Sequence, residues 1–457
     1  MWMTSSSADP EDDGNMSESA ALVIALLVLT WAALSGLLGR HSVTGPLVFV
    51  VVGYLLANPD WGPVRIDIEV DALHVLAEVT LALVLFSDAS RINLAQLRHD
   101  LSLPVRLLGI GLPLSIALGG ILAAVLFDSF PWALAGFIGA ALAPTDAALS
   151  VQVINDQRVP MRLRRALNVE SGLNDGIATP IVTFMLAVAA SQLGLVTDSE
   201  SAEAGKALSE LGLGVVAGLV LGIGGAALIN VSARRGWIGH GGRRIATLAI
   251  ALGAFQAALA IEGNGFIAAF VAGIAFGATL RADAADPERA GELTELGGEL
   301  LALVVWFVFG AALLPIAFDH LTVEVVAYAL LSLTLVRILP VALCLLGSGL
   351  KGSDVLFVAW FGPRGLASVV FAVLAVESLE TSTLLDDAVG VVAMTIAFSV
   401  VLHGVTAGLG GSRYTETDEA DAAIVQMPRV RPTGFARPAG VDVGRVQIPD
   451  GHDADAG

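Results

Sequence analysis

The chain has 457 residues, 55% of them hydrophobic and 15% Asp, Glu, Lys or Arg, with a formal net charge of −19 at pH 7. So acidic a balance excludes a nucleic-acid partner, and the single cysteine, Cys344, excludes an internal disulfide and a cysteine-built metal centre. An apolar fraction this high points to a lipid bilayer as the solvent.

The apolar residues fall into thirteen runs of roughly the 20 residues a helix needs to cross about 30 Å of hydrocarbon. They cover 19–38, 44–59, 72–89, 103–127, 131–150, 165–193, 207–232, 244–261, 263–280, 296–318, 321–348, 354–377 and 383–410. Residues 1–18 form an acidic tail with Asp9, Glu11, Asp12, Asp13 and Glu18 and no basic start, so the first run is expected to stay as a helix rather than leave as a signal peptide. Residues 411–457, acidic and rich in Pro and Gly, read as a disordered tail. The expectation is an all-α polytopic membrane protein with about 13 transmembrane helices. Its transmembrane domain spans 19–410.

Lys and Arg collect on the cytoplasmic side of a membrane protein. The odd-numbered connections between the runs hold Arg40; Arg91 and Arg98; Arg158, Arg162, Arg164 and Arg165; Arg234, Arg235, Arg243 and Arg244; Arg281 and Arg289; and Lys351. The even ones hold only Arg65 and Lys206. This asymmetry puts the N-terminus outside and the C-terminal tail in the cytoplasm of a multi-pass cell-membrane protein.

A charge within the bilayer is costly unless paired or wetted, so it marks a site. Two cations lie at depth, Arg337 and Arg364, against the acids Glu78, Asp146, Glu170 and Asp175; Asp88, Glu299 and Glu377 lie nearer the ends of their runs. In the sixth run, Asn168-Val169-Glu170-Ser171-Gly172-Leu173-Asn174-Asp175, residues four apart share a helix face. Glu170 stacks on Asn174, and Ser171 on Asp175, which offers a hydroxyl and a carboxylate to a proton or a small hard cation.

Two runs are interrupted, at Ala143-Pro144-Thr145-Asp146 in the fifth and at Phe361-Gly362-Pro363-Arg364-Gly365 in the twelfth. Pro removes a backbone donor and Gly relaxes the dihedrals, so both helices should open there. Pairing runs one to six with eight to thirteen matches the fifth with the twelfth, and the odd offset gives two halves of opposite topology. Interrupted helices at matched places point to a transporter site built from inverted repeats, about 19–193 and 244–410. Asp146 and Arg364 would offset the partial charges of the half-helix ends if each faces the end of opposite sign.

The Glu-Ser-x-x-Asn-Asp pattern at Glu170–Asp175 resembles the signature of the monovalent cation/proton antiporters, in their sodium/proton exchanger branch (cation:proton antiporter-1 type). Supporting matches are Ala143–Asp146, the stretch Glu262-Gly-Asn-Gly-Phe-Ile-Ala-Ala-Phe-Val-Ala-Gly273, Gly362-Pro-Arg-Gly365 and His403-Gly404. The resemblance implies that Asp175 alternately binds cation and proton. It implies that Asp146, Thr145 and Ser171 complete a Na+ site, with Glu78 as a further ligand. Glu170 and Asn174 would form a buried network with an arginine, here assigned to Arg337, while Arg364 serves the twelfth-run break. Asn174 in front of the key Asp implies electroneutral one-for-one exchange. The resemblance also implies a homodimer, no cofactor, and no enzymatic activity. His403 reads as a structural histidine rather than a pH sensor, and Glu262 with Asn264 as either an outer funnel or a polar turn.

The alternatives are a potassium/proton exchanger or a cation channel on the same scaffold, and an intramembrane aspartyl protease using Asp146 and Asp175. The protease leaves Glu170, Asn174 and both buried arginines without a role.

Overall fold

The computed structural model describes residues 10–39, 43–58, 61–64, 70–92, 102–146, 149, 154, 156, 158–196, 199–281, 287–379 and 382–411, with backbone alone at 10–20, 70–71, 287–288 and 407–411. Residues 147, 148 and 150 of the fifth run, the acids Asp283, Asp286 and Glu288, and the 412–457 tail lie outside that description in whole or in side-chain detail.

Among the described residues the elements are helices, and each of the thirteen apolar runs contains one. They are α1 Pro10–Leu38, α2 Gly45–Ala57, α3 Val70–Ser90, α4 Ser102–Leu126, α5 Trp132–Ala141, α6 Met161–Gln192, α7 Glu200–Arg234, α8 His240–Leu259 and α9 Gly265–Thr279. The tenth run is α10, Pro287–Val308 continuing through a π-helical turn to Asp319, and the eleventh is α11, Val323–Cys344. The twelfth is split into α12 Gly352–Trp360 and α13 Leu366–Ser378, and α14 is Leu385–Gly411. Among the described residues, eight of these are long and apolar enough to cross a membrane, and α2, α5, α9 and α13 are shorter apolar helices.

Hydropathy reports immersion in lipid rather than helicity, so several helices outrun their apolar runs. α1 begins at Pro10 inside the acidic tail, α6 at Met161, and α7 at Glu200. Two π-helical turns, Leu107–Gly111 in α4 and Phe309–Leu313 in α10, lie just before Pro113 and Pro315. A proline ring clashes with the carbonyl four residues earlier, and a widened turn relieves the clash.

The helices form two packed sets. α2, α3, α7, α8, α9 and α10 make one; α4, α5, α6, α11, α12, α13 and α14 make the other. They meet where α6 lies on α3, α7 and α9, where α13 lies on α3 and α10, and where the end of α10 lies on α14. Lipid tails are as apolar as Leu, so close packing of side chains rather than exclusion of water holds such sets together.

The broken helices position the candidate site. α5 stops at Ala141 and Pro144, Thr145 and Asp146 are non-helical; α12 stops at Trp360 and the chain stays non-helical to Gly365. The two opened stretches touch, with the Asp146 N–H donating to the Pro363 carbonyl at 2.8 Å.

Candidate functional site

Each break exposes the backbone groups of a helix end, which must find partners where water is scarce. The guanidinium of Arg364, fully buried, donates from Nη1 to the carbonyl of Ala143 at 2.7 Å and of Pro144 at 3.4 Å, just past the C-terminus of α5, and from Nη2 to the Ser332 carbonyl at 3.2 Å. Its backbone N–H donates to Ser399 Oγ at 2.6 Å. The Asp146 carboxylate accepts the Leu366 N–H, the first of α13, at 3.1 Å. A cation thus sits at a helix C-terminus and an anion at a helix N-terminus, the arrangement the dipoles favour.

Glycine is required where the stretches cross. A Cβ on Gly365 would lie 2.0 Å from the Asp146 Cβ, and one on Gly362 would lie 2.5 Å from Arg337 Nε and 2.9 Å from Thr145 Cγ2. Gly365→Ala should therefore displace Asp146 and lower transport at least about tenfold, since misplacing a reacting group by about 1 Å is enough to cost that much or more. Transport at the parental rate by a properly folded Gly365→Ala protein would contradict this.

Around the crossing, Asp146 and Asp175 line a crevice too tight for a water molecule, together with Thr145, Gly365, Leu366 and Ser368. Both also line a larger funnel enclosing about 900 Å3, open water at its mouth included, with Ser171 and, from α3, Ser87 and Asp88. Arg91 and Glu295, an ion pair between α3 and α10, stand in the same lining, as does Glu299. Ser171 Oγ and Thr145 Oγ1 are 3.2 Å apart. The Asn174 amide donates to Thr145 Oγ1 at 2.7 Å and to the Thr145 carbonyl at 3.2 Å, so α6 holds the fifth-run break in place. Oxygens from α3, α6 and the break thus surround one wetted space, a donor set suited to a small hard cation. The three aspartates in it repel one another until a proton or a cation enters.

Behind the funnel wall, Arg337 Nη1 donates to Glu170 Oε1 at 2.6 Å, with both side chains 2–3% exposed. Asn174 does not join them; it bonds to Thr145 instead. Glu78 stands apart from both crevice and funnel, 3.0 Å from His74 Nε2. The α3 carboxylate in the funnel is Asp88, about 15 Å along the helix from Glu78 at 1.5 Å per residue. The signal for it was Phe86-Ser87-Asp88, a hydroxyl beside a carboxylate in an apolar helix. His403 is fully enclosed by Ser399 and the Trp360 carbonyl, in agreement with a structural role. Asn264 caps α9 by accepting the Ile267 N–H at 3.0 Å, which favours the polar-turn reading of that segment.

Residues 22–409 match the family described as "Sodium/hydrogen exchanger, transmembrane". The chain belongs to the sodium/hydrogen exchanger family. This family is one of membrane exchangers, so membrane residence follows. Among its relatives, the K(+)/H(+) antiporter NhaP2 of Shewanella sp. (strain ANA-3) is 25% identical over 367 residues, 79% of this chain and 61% of that protein. The "Sodium, potassium, lithium and rubidium/H(+) antiporter" of Bacillus subtilis (strain 168) is 29% identical over 183 residues, 39% of this chain and 26% of that protein. The matched region thus spans about three fifths of the length of the first of these. The solved structure of the sodium proton antiporter MjNhaP1 from Methanocaldococcus jannaschii covers 87% of this exchanger-family chain and 99% of its own, with a TM-score of 0.70 at 19% identity. That likeness establishes the fold.

Proposed function

We propose that this exchanger-family protein is a secondary antiporter that moves a monovalent cation, sodium or lithium, against a proton, one for one, through competition for Asp175. The carrying observation is that Asp175 shares one wetted cavity with Asp146, Ser171 and Asp88 where two broken helices cross. A carboxylate in such a cavity binds either a proton or a cation, and each raises the cost of binding the other. If access changes sides only when Asp175 is loaded, every crossing carries one or the other and the empty return is blocked. In this reading Asp146, Ser171 and Thr145 complete the ion site and Asp88 supplies the α3 carboxylate. Glu170, Arg337, Asn174 and Arg364 hold the crossing rigid. Alternating access comes from the set containing α5, α6 and α13 moving against the set containing α3 and α10.

The funnel mouth carries Arg91, which belongs to the arginine-rich side of the chain. That supports a funnel open to the cytoplasm, with the N-terminus outside. The resemblance supports pairing of two copies in the membrane. Potassium is the second reading for the cation, favoured by the names of the Shewanella relatives.

The test uses purified protein in vesicles with an internal pH dye and an imposed proton gradient, pulsed with sodium, lithium, potassium and choline. Proton movement with sodium or lithium but not choline, unchanged when the voltage is clamped to zero, is the expected result. Movement with potassium alone would transfer the assignment to the potassium exchanger. Equilibration of labelled sodium with no proton movement would make the protein a channel.

A further inference from the structure

From α3 the funnel is lined by residues of its C-terminal third, Leu83 to Arg91. The opposite third of the same helix carries a cluster that the exchange chemistry leaves unused. His74 lies between two carboxylates: Nε2 is 3.0 Å from Glu78 Oε1 on its own helix, and Nδ1 is 2.6 Å from Glu377 Oε2 near the end of α13. Nδ1 lies against Glu377 Oε2 without an aligned hydrogen bond, so the contact draws on charge only when the imidazole carries a proton.

We propose that His74 is a positioning residue, a latch that clamps α3 to α13 on the far side of Asp175 from the funnel, and whose release opens the second access path. The inference rests on the alternating-access reading above.

Three observations carry it. First, the contact bridges the two helix sets. The pairs Arg91–Glu295 and Arg244–Glu292 tie helices within the first set, and Arg337–Glu170 ties helices within the second. The His74–Glu377 contact instead crosses the seam along which the sets must slide, as does the longer His320–Asp387 pair, 4.0 Å, between the end of α10 and α14.

Second, both helices it joins reach the ion site. α3 carries Asp88 there, while α13 presents the Leu366 N–H to Asp146 and contributes Leu366 and Ser368 to the crevice lining. Glu377 lies about 16 Å along α13 from Leu366, at 1.5 Å per residue. A clamp at that end therefore fixes the distance between the helices that flank the aspartates. Releasing it separates them on the side away from the funnel.

Third, the strength suits a contact that breaks in every cycle. His74 and Glu78 side chains are 20% and 19% exposed and Glu377 is 51% exposed, whereas Arg337 and Glu170 are 2% and 3% exposed. A partly wetted pair is weak and reversible, and a fully buried one is not. The enclosed pair sits where the structure must stay rigid. The wetted one sits where it must open.

The full chain in nanodiscs, where both faces are reachable, tests this with Cys344→Ser and Ala77→Cys as the background. Ala77 is fully buried on α3, one turn from His74. A charged maleimide should label position 77 slowly in that background and at least about tenfold faster after His74→Gln or Glu377→Gln, the population shift expected when a two-state element loses its clamp. His74→Lys places a fixed cation between the carboxylates and should return the rate toward the background. Hydrogen exchange on the otherwise unmodified chain provides the second reading. His74→Gln should speed exchange of the amides of residues 72–80 while leaving 83–91 unchanged. Background labelling in both Gln variants, or exchange that rises equally along all of α3, would overturn the latch. Both readouts are independent of proton coupling, so absence of antiport in the parent vesicles would refute the exchange reading without deciding the latch.

Discussion

Asp175→Asn is expected to fold and insert as the parent does and to lose proton-coupled cation transport by at least about 100-fold. The substitution exchanges one oxygen of a carboxylate for an amide nitrogen of nearly the same size, in a side chain that is partly accessible within the funnel, so packing is preserved. What disappears is the charge. A cation in a cavity of the membrane interior needs a compensating anion, and losing about 3 kcal/mol of that compensation is about a 100-fold loss of affinity. The amide also cannot take up the proton that must travel the other way. Both halves of the cycle therefore fail together, and the vesicle assay should show neither sodium-driven proton movement nor proton-driven sodium movement. Asp146→Asn has a different character, because that carboxylate also accepts the first N–H of α13. It should weaken transport and destabilise the crossing, since the amide oxygen keeps the hydrogen bond but not the charge at the helix N-terminus. Asp175→Asn exchanging ions at the parental rate would remove Asp175 from the centre of the mechanism.

The sequence made some of this site legible and hid the rest for physical reasons. Polar residues in lipid are so expensive that Asp146, Glu170, Asp175, Arg337 and Arg364 stand out against their apolar runs, and Pro and Gly announce the two breaks without any knowledge of the fold. Charge alone left two buried cations among four acids, and it is the family resemblance that implies the matching of Glu170 to Arg337. Which acid of α3 faces the aspartates was another matter. Glu78 and Asp88 both lie on an apolar helix, and hydropathy carries no information on how far that helix slides along its neighbours. The structure puts Asp88 in the funnel and Glu78 beside His74, a residue that sequence reasoning passed over because a lone histidine has no pattern. Likewise, Asn174 stacks on Glu170 by helical spacing but turns its amide to the Thr145 hydroxyl and carbonyl, and spacing along one helix carries no information on what a neighbouring broken helix presents to it.

Arg337→Ala is expected to be the most destabilising single change in the protein's interior, by about 3–5 kcal/mol, because it leaves the Glu170 carboxylate buried without its cation. Glu170→Gln should cost less, since the amide oxygen can still accept from Arg337 Nη1, but it strands the positive charge. The two positions belong to one interaction, so their effects should not add: the double variant Glu170→Gln/Arg337→Met, with no charge left to strand, should recover part of the loss. Thermal unfolding in detergent reads this directly. Function suffers as well as stability, because Arg337 also lies against the second break, where a Cβ on Gly362 would meet its Nε. Losing the guanidinium removes the surface on which that opened stretch rests, so the surviving folded Arg337→Ala protein should bind cation more weakly even though no group that faces the cation has changed. Melting of both single variants with the parent would mean that the pair is wetted and weak, and the rigidity of the crossing would then have to come from Arg364 and its carbonyl partners alone.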